Sequence, residues 1–311
     1  MKKLLRPTQS LLITGLADVW AALREQARGP GERFGLLLMV VSAASFALMA
    51  AVVKKMLPET PIQAVVLSRG VLMTAVFVAL ARRQRVPILG HAPGMLLLRG
   101  LLGYGALTCY FYSVLHLPLG DAVLLQYSHP LFVAALAPFL LGEGTGRGHW
   151  PLVLAALAGV GLIVGPSGEL RGAAAIGLSG SALSGLAYMA VRRLSRTEHP
   201  LTILIWFPLA TIPFSLAATI GLGRAALPRS ALEVLGHLLV TGTALVGQFT
   251  LTHGLVRVRA APATAVTLTG PVFGVLYGVL LFGTLPAPAS LAGMALTISA
   301  LILLARSRAR G

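Results

Sequence analysis

Leu117-Pro118-Leu119-Gly120-Asp121-Ala122 and Ser128-His129-Pro130-Leu131-Phe132 return 141 residues later as Val258-Arg259-Ala260-Ala261-Pro262-Ala263 and Thr269-Gly270-Pro271-Val272-Phe273. The same offset sets Leu141-Gly142 on Phe282-Gly283, and the halves align without a gap from about residue 95 to 160. Earlier in each half, Lys54-Lys55 falls on Arg192-Arg193 at an offset of 138, and Glu59-x-Pro61 on Glu198-x-Pro200 at 139. Any two apolar helices resemble one another somewhat. Matched prolines, glycines and loop charges do not arise that way, so the chain reads as one unit written twice.

The solvent of that unit follows from composition. Of 311 residues, 56% are hydrophobic and 11% charged, with a mean hydropathy of +0.85. Soluble domains carry about a quarter charged residues, so a soluble enzyme and a disordered chain are both excluded. Runs of about 20 apolar residues cross a bilayer as helices. Ten such runs are read, at roughly 34–53, 62–80, 94–115, 119–141, 150–166, 172–191, 201–221, 233–256, 261–282 and 287–305. The expected architecture is an all-α polytopic membrane protein with ten transmembrane helices in two inverted five-helix repeats. Residues 1–33 form an N-terminal tail, 34–166 the first repeat, 171–305 the second and 306–311 a C-terminal tail. The tail's short apolar stretch from Leu11 to Leu23 has no cleavage site after it, and is expected to lie on the membrane surface.

The net charge of +16 is a topology signal. With the N-terminus inside, eighteen Lys and Arg residues fall on cytoplasmic segments and five on outer ones. The positive-inside rule then sets both termini in the cytoplasm, and the basic balance needs no nucleic acid to explain it. An odd number of spans per unit makes the second copy enter from the opposite side, an arrangement that underlies alternating access with a site near the midplane.

The residues that carry a family likeness are Arg99-Gly100, Tyr110-Phe111-Tyr112, Leu117 to Ala122, Pro130-Leu131-Phe132 and Leu140-Leu141-Gly142-Glu143. Phe46 to Lys54 followed by Ser68-Arg69 completes the pattern. The chain resembles two EamA-type units of the drug/metabolite transporter superfamily over about 34–305. That resemblance implies the fold and a transport role in a bacterial inner membrane. It does not imply a substrate, because members similar in architecture carry amino acids, nucleotide sugars, vitamins, S-adenosylmethionine or drugs. The second half departs from the pattern with Thr284 where the first has Glu143, which reads as the loss of an end cap in one copy.

Candidate site residues cluster where polar groups would otherwise face lipid. Pro130 and Pro271 stand midway along equivalent spans, and each frees the carbonyl four residues back, on Gln126 and Thr267. His129 is the histidine beside a break, able to carry a proton or to stay neutral and structural. Thr241, Gln248 and Thr252 share one helix face, and an amide there is expected to point inward. Tyr110, Tyr188 and Trp206 offer aromatic surface, for a pocket or for packing. Arg69 lies within the second span, where it either holds a substrate carboxylate or phosphate, pairs with Asp121 or a helix C-terminus, or snorkels outward. Arg99, nearer a span end, is expected to snorkel. Gly270, Gly274 and Gly278 form a row for close helix approach, and Ala155-x-x-x-Gly159 offers either the same or a contact for a homodimer.

These features favour a secondary transporter of small metabolites such as amino acids, acting as an exporter. The alternatives are an uptake carrier for a vitamin or nucleotide-like substrate such as S-adenosylmethionine, and a channel. A channel wants a continuous polar lining that these spans lack. An intramembrane enzyme would need paired carboxylates, HExxH or GxSxG, and none is present. The expected partners are a small-molecule substrate and the lipid bilayer, with no nucleic acid, metal or cofactor.

Overall fold

The computed structural model describes residues 30–141, 149–164, 171–221, 228, 230–255, 257–258 and 266–308. Among them every regular element is helical: α1 (Pro30–Met56), α2 (Ile62–Gln84), α3 (Pro93–His116), α4 (Leu119–Gln126), α5 (His129–Leu141), α6 (His149–Val164), α7 (Arg171–Leu194), α8 (Pro200–Gly221), α9 (Ala231–Leu255), α10 (Gly270–Phe282) and α11 (Pro288–Arg308). Six of these are long and apolar enough to cross a membrane, and Trp150–Ile163, Gly270–Phe282 and Pro288–Leu303 are shorter apolar helices. The expected surface helix at Leu11–Leu23, Glu143 and the Arg259-to-Ala263 match lie outside the described residues.

Two spans are interrupted. The chain leaves helix at Tyr127–Ser128, between α4 and α5, and again at Leu268–Thr269, just before α10. The positions are 141 residues apart, the offset of the sequence repeat.

Helix packing carries the same internal symmetry. α1 packs on α9 as α3 packs on α7, and α1 on α10 as α7 on α4 and α5. α2 meets its own counterpart α8, α4 meets α10, and α6 meets α11. When the repeats are exchanged, α1–α9 and α3–α7 are images of one another, and α2–α8 and α6–α11 are each their own image. The glycine row of α10 faces α4: a Cβ on Gly274 would stand 2.8 Å from Val123, and one on Gly270 would enter the ring of Tyr127. Gly159 is spent inside the chain rather than at a dimer contact, because a Cβ there would meet the Gly293 carbonyl at 2.7 Å and the Thr297 amide at 2.8 Å, both on α11. Thr284 is not a lost cap. Its amide and Oγ1 both donate to the Gly278 carbonyl at 3.2 Å, closing α10 behind Gly283, whose φ of +64° suits glycine.

The two ends of the bundle are tied unequally. On the face that carries Arg82, Arg83, Arg85, Arg192, Arg193 and Arg196, called here the basic face, the second repeat grips the 87–92 connection at several points. The Thr202 hydroxyl donates to the Pro87 carbonyl at 2.7 Å, and the Trp206 indole to that of Ile88 at 2.9 Å. Glu198 Oε1 accepts the amides of His91 and Ala92, both at 2.6 Å. Ala92 is the N-cap of α3 and has no side-chain cap of its own, so a carboxylate from the other repeat meets the exposed donors and the positive end of the dipole. Such a charge contributes about 0.3–1 kcal/mol at a surface and up to ~2 when partly buried; Glu198 is 6% exposed. On the opposite face the repeat counterpart, Glu59, is exposed, and the ties come from lysines: Lys54 Nζ donates to the Val114 and Leu117 carbonyls at 2.8 and 2.7 Å within the first repeat, and Lys55 Nζ to that of Leu281 in the second at 3.3 Å.

Close approach concentrates where α8 is wedged between α2 and α3. A Cβ on Gly70 would stand 3.2 Å from the Pro208 carbonyl, and one on Gly100 would collide with Ala210 and lie 3.0 Å from the Trp206 carbonyl. The Gly100→Ala variant is therefore expected to lose about 1–3 kcal/mol through overpacking, read as a lower melting temperature in detergent. Gly94→Ala, where nothing lies within 4 Å, serves as the control and is expected to melt no lower than the parent.

Candidate functional site

The two interruptions meet at the centre. Pro130 deprives the Gln126 carbonyl of its helical donor, and the His129 ring takes its place, with Nδ1 3.0 Å from that oxygen. Ser128 Oγ donates to the Leu124 carbonyl at 3.0 Å. Across the repeat, Thr269 Oγ1 donates to the Val266 carbonyl at 2.7 Å. Tyr127, at the first break, lies over Gly270, next to the second. Side chains of the chain itself thus meet the backbone groups that lipid could not satisfy.

Around the first break stand aromatic and amide groups from both repeats. Gln126 Nε2 donates to Ser184 Oγ of α7 at 2.9 Å, while its Oε1 is buried without a partner. The rings of His129 and Tyr188 are stacked, 4.5 Å between centroids and 9° between planes. Tyr127 lies 6.3 Å from His129 and within electrostatic reach of Tyr110 and Tyr188. Tyr110 is buried, whereas Tyr188 leaves 45% of its surface accessible.

Beyond Tyr188 lie two arginines. Arg69 of α2 is 3% exposed and Arg99 of α3 is half-buried. Both guanidiniums sit over the ring of Phe207 on α8, their central carbons 5.4 and 4.3 Å from its centroid. Nε and Nη1 of each are buried and make no hydrogen bond. Arg99 therefore turns inward instead of snorkelling. Arg69 does not pair with Asp121, whose carboxylate faces Ser290 of α11. The geometry follows from two Arg-Gly dipeptides: Gly70 and Gly100 bring α2 and α3 against α8, and the residue before each reaches Phe207.

The remaining candidates are more scattered. Trp206 points to the basic face, its indole N–H engaged by Ile88. Gln248 and Thr252 are half-buried on α9, and the Thr252 hydroxyl bonds back to the Gln248 carbonyl at 2.9 Å. Thr241 is buried and bonds to the His237 carbonyl at 3.0 Å. Thr267 lies half-buried just ahead of the second break. Toward the opposite face is a cavity of about 260 Å³ lined by Pro61, Ile62, Gln63, Thr108, Cys109, Tyr112 and Ile176. The Tyr104 hydroxyl donates to Gln63 Oε1 at 2.9 Å nearby. Sequence reasoning missed Phe207, Tyr127 and Ser184. The paired Arg-Gly dipeptides in successive spans were the signal for the first, and the offset of 141 between Tyr127 and Leu268 for the second.

Comparison with known proteins places these features in a family. The model of the EamA-like transporter family matches residues 33–165 and again 171–306. The chain is 31% identical over 286 residues to the pseudopaline exporter CntI of Pseudomonas aeruginosa, covering 88% of this chain and 96% of that protein. It is 27% identical over 221 residues to a riboflavin transporter of Rhizobium johnstonii, covering 71% and 72%. A solved crystal structure superimposes with a TM-score of 0.63 at 22% identity, over 89% of this chain and 97% of that one, a likeness of fold alone. Two matched units, multiple apolar helices and transporter relatives agree: the chain is a membrane transport protein of the EamA-like transporter family, in the drug/metabolite transporter superfamily.

Proposed function

We propose that this protein is a secondary exporter of small polar or amphipathic metabolites, amino acids and related compounds, and not an enzyme. It works by alternating access between two five-span units threaded in opposite senses through a bacterial inner membrane, with both termini cytoplasmic. The observation that carries this reading is the meeting of two matched helix interruptions, at 127–128 and 268–269, where Tyr127 lies over Gly270 and the accessible Tyr188 stacks on His129. Helix breaks at the repeat interface are where secondary transporters bind their cargo. The likeness to an exporter over nearly the whole of both chains supports the direction.

In this reading Tyr110, Gln126, His129, Tyr188, Gln248, Thr252 and Thr267 line the path, with Arg69 as the anion anchor and Pro130 and Pro271 as the flexible points. Trp206 acts at the rim, through its bond to the Ile88 carbonyl. The bonds from Thr202, Trp206 and Glu198 hold the basic face shut, and the cavity at Cys109 belongs to a state open on the other side. A second reading, an uptake carrier for a vitamin or nucleotide-like molecule, draws on the riboflavin transporter likeness and on the flat His129–Tyr188 stack.

Proteoliposomes loaded with an unlabelled amino acid and presented with its labelled form test the carrier. The expected result across the amino acids is saturable counterflow for at least one; flux that rises without saturation would mark a channel. Gln248→Leu is expected to abolish the counterflow at unchanged membrane abundance, and normal flux would remove Gln248 from the path. Saturable uptake of labelled riboflavin, with no amino acid counterflow, would favour the second reading.

The latch has its own test. The chain's one cysteine, Cys109, lines the cavity and reports opening on that side. Glu198→Ala removes the acceptor of two amides, and a coupling of 1–3 kcal/mol corresponds to a roughly 5–150-fold shift between states. Maleimide labelling of Cys109 is expected to slow several-fold in the variant, as the population moves toward the state open on the basic face. An unchanged rate would show that Glu198 fixes α3 without gating.

A further inference from the structure

We infer that Arg69 and Arg99, sharing the ring of Phe207, form one binding site for a substrate that carries two carboxylates. The inference rests on the carrier reading above and narrows it to a substrate class.

Two cations in a low-dielectric interior repel one another, and each is costly there unless it meets an anion. No carboxylate among the described residues pairs with either guanidinium, and Nε and Nη1 of both are buried donors without acceptors. The shared ring offsets part of this cost, since a cation over an aromatic face gains ~0.5–2 kcal/mol. It supplies no hydrogen-bond acceptor. A planar fork of N–H donors accepts a carboxylate in two parallel bonds. The orphaned donors of two guanidiniums thus call for anionic oxygens, and two charges for two carboxylates: a single carboxylate would leave one guanidinium uncompensated.

Gly103 makes room for the stack itself. A Cβ on Gly103 would stand 2.6 Å from Phe207 and 2.9 Å from Arg99 Nη1, so a side chain there would displace the stack. The Arg99 charge is felt at the Tyr188 phenol, whose ring stacks on His129 at the helix break. The substrate's carbon skeleton would extend from the arginines toward that pair. Both arginines stand inside long helices whose backbone amides are already bonded, so the two guanidiniums are the donors this site offers a ligand.

Purified full-length protein in detergent, melted with glutarate, L-glutamate, L-glutamine or inorganic phosphate, tests the site, since a ligand bound to the folded state raises the melting temperature. Glutarate and glutamate are expected to raise it, and glutamine and phosphate to leave it unchanged. Equal shifts with glutamine, equal shifts with phosphate, or no shift with either dicarboxylate would each overturn the proposal, and none of these needs a variant. Arg69→Gln and Arg99→Gln are each expected to weaken dicarboxylate binding roughly a hundredfold, by loss of one partner of a buried charge pair. Arg69→Lys and Arg99→Lys keep the charge and guard against misfolding; they are expected to recover only part of the affinity, and full affinity in the glutamine variants would overturn the assignment. Counterflow of labelled glutamate separates the two levels. Dicarboxylate binding without flux supports the site while removing the carrier, and saturable glutamine flux indifferent to both arginines keeps the carrier while overturning the site.

Discussion

Hydrocarbon forms no hydrogen bonds, and this one constraint organises the molecule. A helix crossing lipid must satisfy its own backbone, so any interruption has to be met by another part of the chain. Both interruptions here are met in that way: the His129 ring serves the carbonyl freed by Pro130, hydroxyls of Ser128 and Thr269 serve the turns, and Tyr127 covers Gly270. The consequence is functional. A span that is broken and then repaired by side chains is easier to bend than a continuous one, and the repairing groups are the polar groups available to a passenger.

The second organising feature is an asymmetry laid over a symmetric plan. Exchange of the repeats maps α1–α9 onto α7–α3 and α2–α8 onto itself, yet α3 packs more extensively on α8 than α2 does on α9. Trp206, Thr202 and Glu198 reinforce the tighter crossing at the basic face. The looser one has Ser68 and His237, 2.6 Å apart, at the other end. The proposed alternating access requires such a difference in closure between the two ends.

Much of this was legible in the chain. The offset of 141 located both breaks, because prolines and turn residues leave a local signature that does not depend on the partner helix. The role of Arg99 was not legible. Its place near a span end is equally compatible with snorkelling, and only the tertiary approach permitted by Gly100 and Gly103 turns it onto Phe207. Glu198 was seen only as a loop match to Glu59, since its bond to α3 spans 106 residues of sequence. Gly159 carried a small-residue motif that fits any close neighbour, and the neighbour is α11 of the same chain. Periodicity and repeats report local structure well. Which faces meet is decided by contacts between distant segments.

Opposite threading of the two units is the claim on which the rest stands. Site-directed labelling measures it directly, with single cysteines in the 57–61 and 283–287 connections and tags on both termini, in intact cells and in inverted vesicles. The account predicts that the two connections label from one side and both tags are reached from the other. Tags on opposite sides of the membrane, or the two connections on different faces, would contradict it.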